Sequence, residues 1–200
     1  MGYQLECYGI DAAPLQALIG SGRTEVVRQV VANEVKLFVT NPGEPWRQAL
    51  QDLIAGDRGR ALASARAADP NAPPSPATPA EAAAMTALIR HFGDRAGVLI
   101  HNSRAGEKFR AMFDPGFEPP QFVETSLAPR LLGRPLAGLS STNYPCWGGL
   151  TQAEVARMLG GHSEPAEAPV DIDQRQWLWE LNEVLVDVRD WKTDLVTLYL

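Results

Sequence analysis

The end of the chain constrains its fold most, because a long amphipathic helix is followed there at once by an apolar strand. The apolar residues that recur at helical spacing are Trp177, Leu181, Val184, Leu185, Val188 and Trp191. This period predicts a helix with one apolar face turned toward a core. The next segment, Leu195 to Leu200, is almost continuously apolar, which is typical of a strand covered on both faces. The sequence therefore predicts that this helix packs on a sheet containing the last strand.

A second strand is predicted at the start of the chain, where Tyr3 to Tyr8 alternates and is rich in β-forming residues. The segments that begin at Thr78 and Thr151 are capping boxes, each with a glutamate three residues later, and they predict helix starts. We expect an α+β fold in which helices pack on a small mixed sheet that includes the N-terminal and C-terminal strands.

The domain organisation follows from length and from the distribution of proline. A chain of 200 residues can bury one sizeable core. Residues 69–79 hold five prolines, which predicts an extended internal loop and no core element. We therefore expect a single domain over residues 1–200 with a Pro-rich loop at 69–79.

Composition excludes several classes of function. The formal net charge is -6 and no basic cluster is present, so the surface repels phosphate and nucleic acid is not an expected partner. No apolar run approaches the ~20 residues that span a bilayer, and the N-terminus lacks a signal peptide pattern. We expect no membrane association and a cytoplasmic location. The two cysteines form no CxxC pair, and the three histidines show no metal-binding spacing, so neither a metal nor a cofactor is predicted.

Three segments resemble known families. The opening from Tyr3 to Gly22, with Tyr8-Gly9-Ile10-Asp11 at its centre, resembles the start of an uncharacterised bacterial domain-of-unknown-function family. The segment Gly148 to Val155 resembles that family's G-x-L-T-x-x-E-V pattern, and the ending Asp194 to Tyr199 resembles its end. The C-terminal half is also similar to the YfbM-like proteins. The resemblance implies a compact α+β fold and a bacterial origin, and it brings no catalytic residues.

One cysteine is a candidate nucleophile. Cys146 lies five residues ahead of a predicted helix start, where a helix dipole can lower the pKa of a thiol. His101 and His162 are bases by type, and a Cys–His pair supports acyl or group transfer. The competing interpretation is that Cys146 is a small buried hydrophobic residue beside aromatic side chains.

The segment His101-Asn102-Ser103-Arg104 is a candidate anion-binding helix start. Ser103 can cap the helix and Arg104 can pair with an anion. The competing interpretation is a helix cap with no ligand.

A second apolar stripe runs along the last helix. Ile172, Trp179 and Val186 are spaced by seven and lie on the side opposite the main stripe. Such a helix is either buried in the middle of its domain or presents one side to a partner. An exposed Trp179 would favour the partner.

These observations support three hypotheses. The first is a non-enzymatic protein-binding module of an immunity or regulatory type, with binding residues Tyr144, Trp147, Trp179, Ser103 and Arg104. The second is a small hydrolase or transferase that uses Cys146 with a histidine. The third is a structural homo-oligomer. A protein partner or a second copy of the chain is the expected ligand.

Overall fold

The computed structural model describes residues 2–33, 45–102, 109, 128–141, 145–160 and 172–200. The strands are β1 (Gly2–Ile10), β2 (Ser75–Pro76), β3 (Asp94–Asn102), β4 (Leu139–Ser140), β5 (Cys146–Leu150) and β6 (Asp194–Tyr199). The helices are α1 (Ala12–Leu18), α2 (Thr24–Ala32), α3 (Pro45–Ala55), α4 (Asp57–Ala68), α5 (Pro79–Phe92), α6 (Ala128–Gly133), α7 (Gln152–Gly160) and α8 (Ile172–Trp191). None of the helices within these ranges is long and apolar enough to cross a membrane.

Two compact units divide the chain, and each is assembled from separate stretches. The sheet unit consists of Met1–Gly9, Arg95–Arg134 and Trp147–Leu200, and the helical unit consists of Ile10–Asp94 and Pro135–Cys146. The expectation of a single domain over 1–200 stays a prediction.

The sheet unit is built on four strands in the order β3-β1-β6-β5. The strands are antiparallel, and the N-terminal and C-terminal strands β1 and β6 are neighbours at the centre. The backbones of Gln4 and Leu200 exchange two hydrogen bonds, of 3.1 and 2.9 Å. The predicted α+β class and the inclusion of both terminal strands are confirmed. A mixed sheet was expected, whereas in the part of the chain that the structure describes parallel pairing is found only in a separate two-stranded ladder of β2 and β4.

Helix α8 packs on this sheet through the predicted apolar face. Trp177, Leu181 and Val188 are buried. Two glycines in the strands allow the close approach: a Cβ added to Gly97 would lie 2.6 Å from Val184 Cγ2, and one added to Gly9 would lie 2.6 Å from Trp191 Cε3. Gly97 and Gly9 therefore mark two places where the helix closely approaches the sheet.

The helical unit is centred on α5, most of whose residues are buried. Alanines alternate with larger apolar residues such as Met85 and Leu88, so neighbouring helices can approach from several sides. The predicted capping box is confirmed, because the Thr78 side chain accepts from the Glu81 backbone while Glu81 accepts from the Thr78 backbone. Helix α3 packs against α5 and buries Trp46.

The Pro-rich segment 69–79 contains a short strand that the sequence did not predict. β2 pairs in parallel with β4, and the backbones of Ser75 and Ala77 donate to Gly138 and Ser140 at 2.9 and 2.8 Å. The residue between them, Pro76, has no N–H. The ladder forms because only the residues on either side of this proline have to donate.

Candidate functional site

The outer face of α8 carries two strongly exposed large apolar side chains, and among the described residues of the sheet unit Ile100 on β3 is exposed to a similar extent, at 64%. Ile172 is 81% exposed and Trp179 is 64% exposed, while Val186 is half-buried. Trp177, two residues from Trp179, is 5% exposed. Trp179 is therefore not covered within the unit, and the interpretation in which α8 presents one side to a partner stays a prediction.

Charged side chains flank Trp179 on this outer face. Arg175 lies one turn before Trp179 and Glu183 lies one turn after it, and both are exposed. Asp187 is also exposed, and Asp190 forms an ion pair of 2.8 Å with Arg189. The surface thus combines an aromatic centre with a charged periphery, and protein contact sites typically have aromatic side chains at the centre and a polar rim.

The inner side of α8 contributes to a buried aromatic cluster around His101. The rings of Tyr3 and Phe109 stack on the imidazole with centroids 5.5 and 4.4 Å away. His101 Nε2 lies 2.7 Å from the Tyr199 hydroxyl oxygen. Trp177 meets the imidazole edge-on and donates its indole N–H to the carbonyl of Ile100 at 2.9 Å. A His–Tyr pair can exchange a proton, but the imidazole is 3% exposed and its surroundings are those of a packed core.

The candidate nucleophile Cys146 is the first residue of β5 and is a buried cysteine outside any disulfide. The structure gives His101 a hydrogen-bond partner in Tyr199, and His162 lies outside the described residues. Catalysis by Cys146 with a histidine therefore stays a prediction. Burial, with a smaller contribution from the charge of Glu6, raises the pKa of the other thiol, Cys7, to about 12, so Cys7 is inert at neutral pH.

The other predicted binding residues divide into two groups. Trp147 lies on β5 and is fully buried, so its side chain contributes to the core of the sheet unit. Its role in binding stays a prediction. Ser103, Arg104 and Tyr144 lie outside the described residues.

The segment that resembles G-x-L-T-x-x-E-V has a structural role. The Thr151 and Glu154 pair forms the predicted capping box at the start of α7. Glu154 also accepts from Arg130 at 2.9 Å and from Arg134. Partial burial alone would raise the pKa of Glu154, but the Thr151 backbone N–H and the Arg134 guanidinium hold it below its usual value. The motif therefore joins α6 to the start of α7.

A buried carboxylate on β1 was missed by the sequence reasoning. Glu6 is 5% exposed and accepts from the Tyr8 hydroxyl at 2.8 Å and from the Gln4 amide at 3.1 Å. Arg95 lies 3.9 Å from the same carboxylate. The signal was the alternation of Gln4, Glu6 and Tyr8, which places three polar side chains on one face of the strand. Such a carboxylate can accept a proton or a cation, and its donors offset part of the cost of burial.

Within the described ranges, no group of three or more His, Cys, Asp or Glu side chains is placed to hold a metal ion.

Comparisons with known proteins identify the family of the chain. No curated protein and no solved structure gives a significant match to the chain. A family profile described as "Domain of unknown function (DUF7691)" matches residues 1–199. Because this match covers nearly the whole sequence, the chain belongs to the DUF7691 family.

Proposed function

We propose that the chain is a non-enzymatic protein-binding module that contacts its partner through the outer face of α8. The observation that carries the proposal is the exposure of Trp179, at 64%, on the same side of the helix as Ile172, at 81%. Tryptophan is the residue most enriched among those that dominate binding energy at protein contacts. An exposed tryptophan beside an exposed isoleucine leaves apolar surface in water that a partner would cover.

Two finer parts of the proposal concern the origin of the protein and its type of role. The resemblance to a bacterial family and to the YfbM-like proteins supports a bacterial origin, and a cytoplasmic location is proposed with it. The acidic net charge of -6 supports an immunity or regulatory role, since complementary charge speeds and directs association.

Photocrosslinking tests the docking surface. A benzophenone amino acid replaces Gln176, an exposed residue one turn before Trp179, and the tagged protein is irradiated in lysate of its source. We expect a discrete protein adduct, and adding Trp179→Ala should reduce its yield by about 30-fold, the equivalent of a hot-spot loss of about 2 kcal/mol.

The control places the same photoreactive residue at Ala61, an exposed position on α4 in the other unit. If position 176 gives no more adduct than position 61, or if Trp179→Ala leaves the yield unchanged, the outer face of α8 is not the docking surface.

A further inference from the structure

Two charges on the outer face of α8, one positive and one negative, lie at equal distances on either side of Trp179. Arg175 precedes Trp179 by four residues and Glu183 follows it by four, so the three form one i, i+4 row on the helix surface. All three side chains are exposed. The two ends of the row therefore carry opposite charges at equal distances from an aromatic centre.

These two charges are not used within the part of the chain that the structure describes. Among the described residues, neither Arg175 nor Glu183 forms an ion pair or a side-chain hydrogen bond. Eight residues separate them, which is about 12 Å along a helix, so they cannot pair with each other in one chain. Each is left available to an external group of opposite charge.

We propose that the protein bound by this face is a second copy of the chain, with the two α8 helices antiparallel about a two-fold axis at Trp179. In the commonest class of helix packing, the i, i+4 rows of both helices run alongside each other at a crossing angle of about 50°. An antiparallel match of the row with its own copy brings Trp179 beside the partner's Trp179 and Arg175 beside the partner's Glu183. A two-fold contact requires this self-complementarity. The symmetry also forms the ion pair between Arg175 and the partner's Glu183 twice.

The charge balance of the row favours a second copy over a basic partner protein. A surface that recognises a basic partner would carry carboxylates on both sides of Trp179, whereas here one side is an arginine. The net charge of -6 opposes self-association only weakly, because charges farther apart than about 8 Å are screened at physiological ionic strength. The two ion pairs between Arg175 and the partner's Glu183 therefore outweigh the repulsion between the net charges of the two copies.

Charge reversal tests this geometry with the full chain. Sedimentation velocity over a range of concentrations gives the dimer dissociation constant of the wild type, of Arg175→Glu and of Glu183→Arg. We expect each single reversal to weaken the homodimer about tenfold, because it replaces two ion pairs by two repulsions. An equimolar mixture of the two variants should form a heterodimer at least as readily as the wild type dimerises, since both contacts are attractive again. Native mass spectrometry with one variant isotopically labelled identifies that heterodimer.

The other variants separate this inference from the proposed function on which it rests. Trp179→Ala should weaken the dimer by about 100-fold, and Phe92→Ala, an exposed aromatic control in the helical unit, should leave it unchanged. A wild type that stays monomeric, or a mixture that forms no more heterodimer than either variant forms homodimer, overturns the inference. If the crosslink at Gln176 then captures a different protein and depends on Trp179, the docking surface stands and only the identity of its partner is wrong.

Discussion

The inner and outer faces of α8 carry two tryptophans that are two residues apart and have opposite surroundings. Trp177 is 5% exposed, meets His101 and Phe109 edge-on, and donates its indole N–H to the carbonyl of Ile100. Trp179 is 64% exposed. Burial and a satisfied donor explain the inner tryptophan by folding alone, whereas folding gives no reason for the outer one. The difference teaches that one apolar stripe of the helix is covered by the fold while the other leaves Trp179 exposed, as the proposed docking surface requires.

Truncation of each tryptophan gives the largest expected difference between the two faces. Trp177→Ala should lower the free energy of unfolding by about 3–5 kcal/mol, because it leaves a cavity against the sheet. Trp179→Ala should change it by no more than about 0.5 kcal/mol, as at other exposed sites. Urea denaturation measures both, at protein concentrations low enough that dimer formation does not contribute. Equal losses for the two variants would show that Trp179 belongs to the core.

The sequence predicted the inner face better than the outer one, and the reason is physical. The period of Trp177, Leu181 and Val188 fixes which side of the helix is apolar, and an apolar side must be covered when the chain folds. The stripe of Ile172 and Trp179 has the same period, so sequence alone allowed both internal burial and a partner. Only the packing of α8 on the sheet shows that Trp179 is left exposed.

The burial of two other residues also depends on tertiary packing, which the sequence does not show. Glu6 follows an alternation that the sequence shows, but its burial depends on what covers that side of β1. Trp147, which is among the binding residues predicted from the sequence, is buried in β5, and its role in binding stays a prediction. The capping boxes at Thr78 and Thr151 were predictable because their contacts are local, within three residues.

Glycine substitution on the inner side should have the next largest effect. In Gly97→Ala the new Cβ would lie 2.6 Å from Val184 Cγ2, so we expect a loss of about 1–3 kcal/mol from overpacking. The double variant with Val184→Ala should lose less than the sum of the single losses, because the shorter side chain makes room. Gly133→Ala, where no atom lies within 4 Å of the added Cβ, is the matched control and should not destabilise the protein. An additive double variant would mean that α8 does not approach the sheet at Gly97.

The smallest expected effect on stability comes from neutralising one of two carboxylates. Glu154 is paired with arginine, whereas Glu183 forms no ion pair among the described residues. Glu154 binds Arg130 and Arg134, so Glu154→Gln should lower the free energy of unfolding at neutral pH by about 1–2 kcal/mol. Glu183→Gln, on the outer face, should change it by less than about 0.5 kcal/mol in the monomer. Urea denaturation, as for the tryptophan variants, should give a lower free energy of unfolding for Glu154→Gln than for Glu183→Gln.

The lowered pKa of Glu154 determines how the contribution of Glu154 to the free energy of unfolding depends on pH. Its pKa is lowered in the folded protein from an ordinary value of 4.5, since the Thr151 backbone and Arg134 outweigh the opposing effect of burial. The ionised form is therefore bound more favourably in the folded state, and the stabilisation is present above pH 4.5 and is lost as the pH falls through the folded-state pKa. Unfolding free energies of the wild type and of Glu154→Gln should converge below pH 4.5. A constant difference at every pH would mean that the glutamate stabilises α7 by packing and not by its charge.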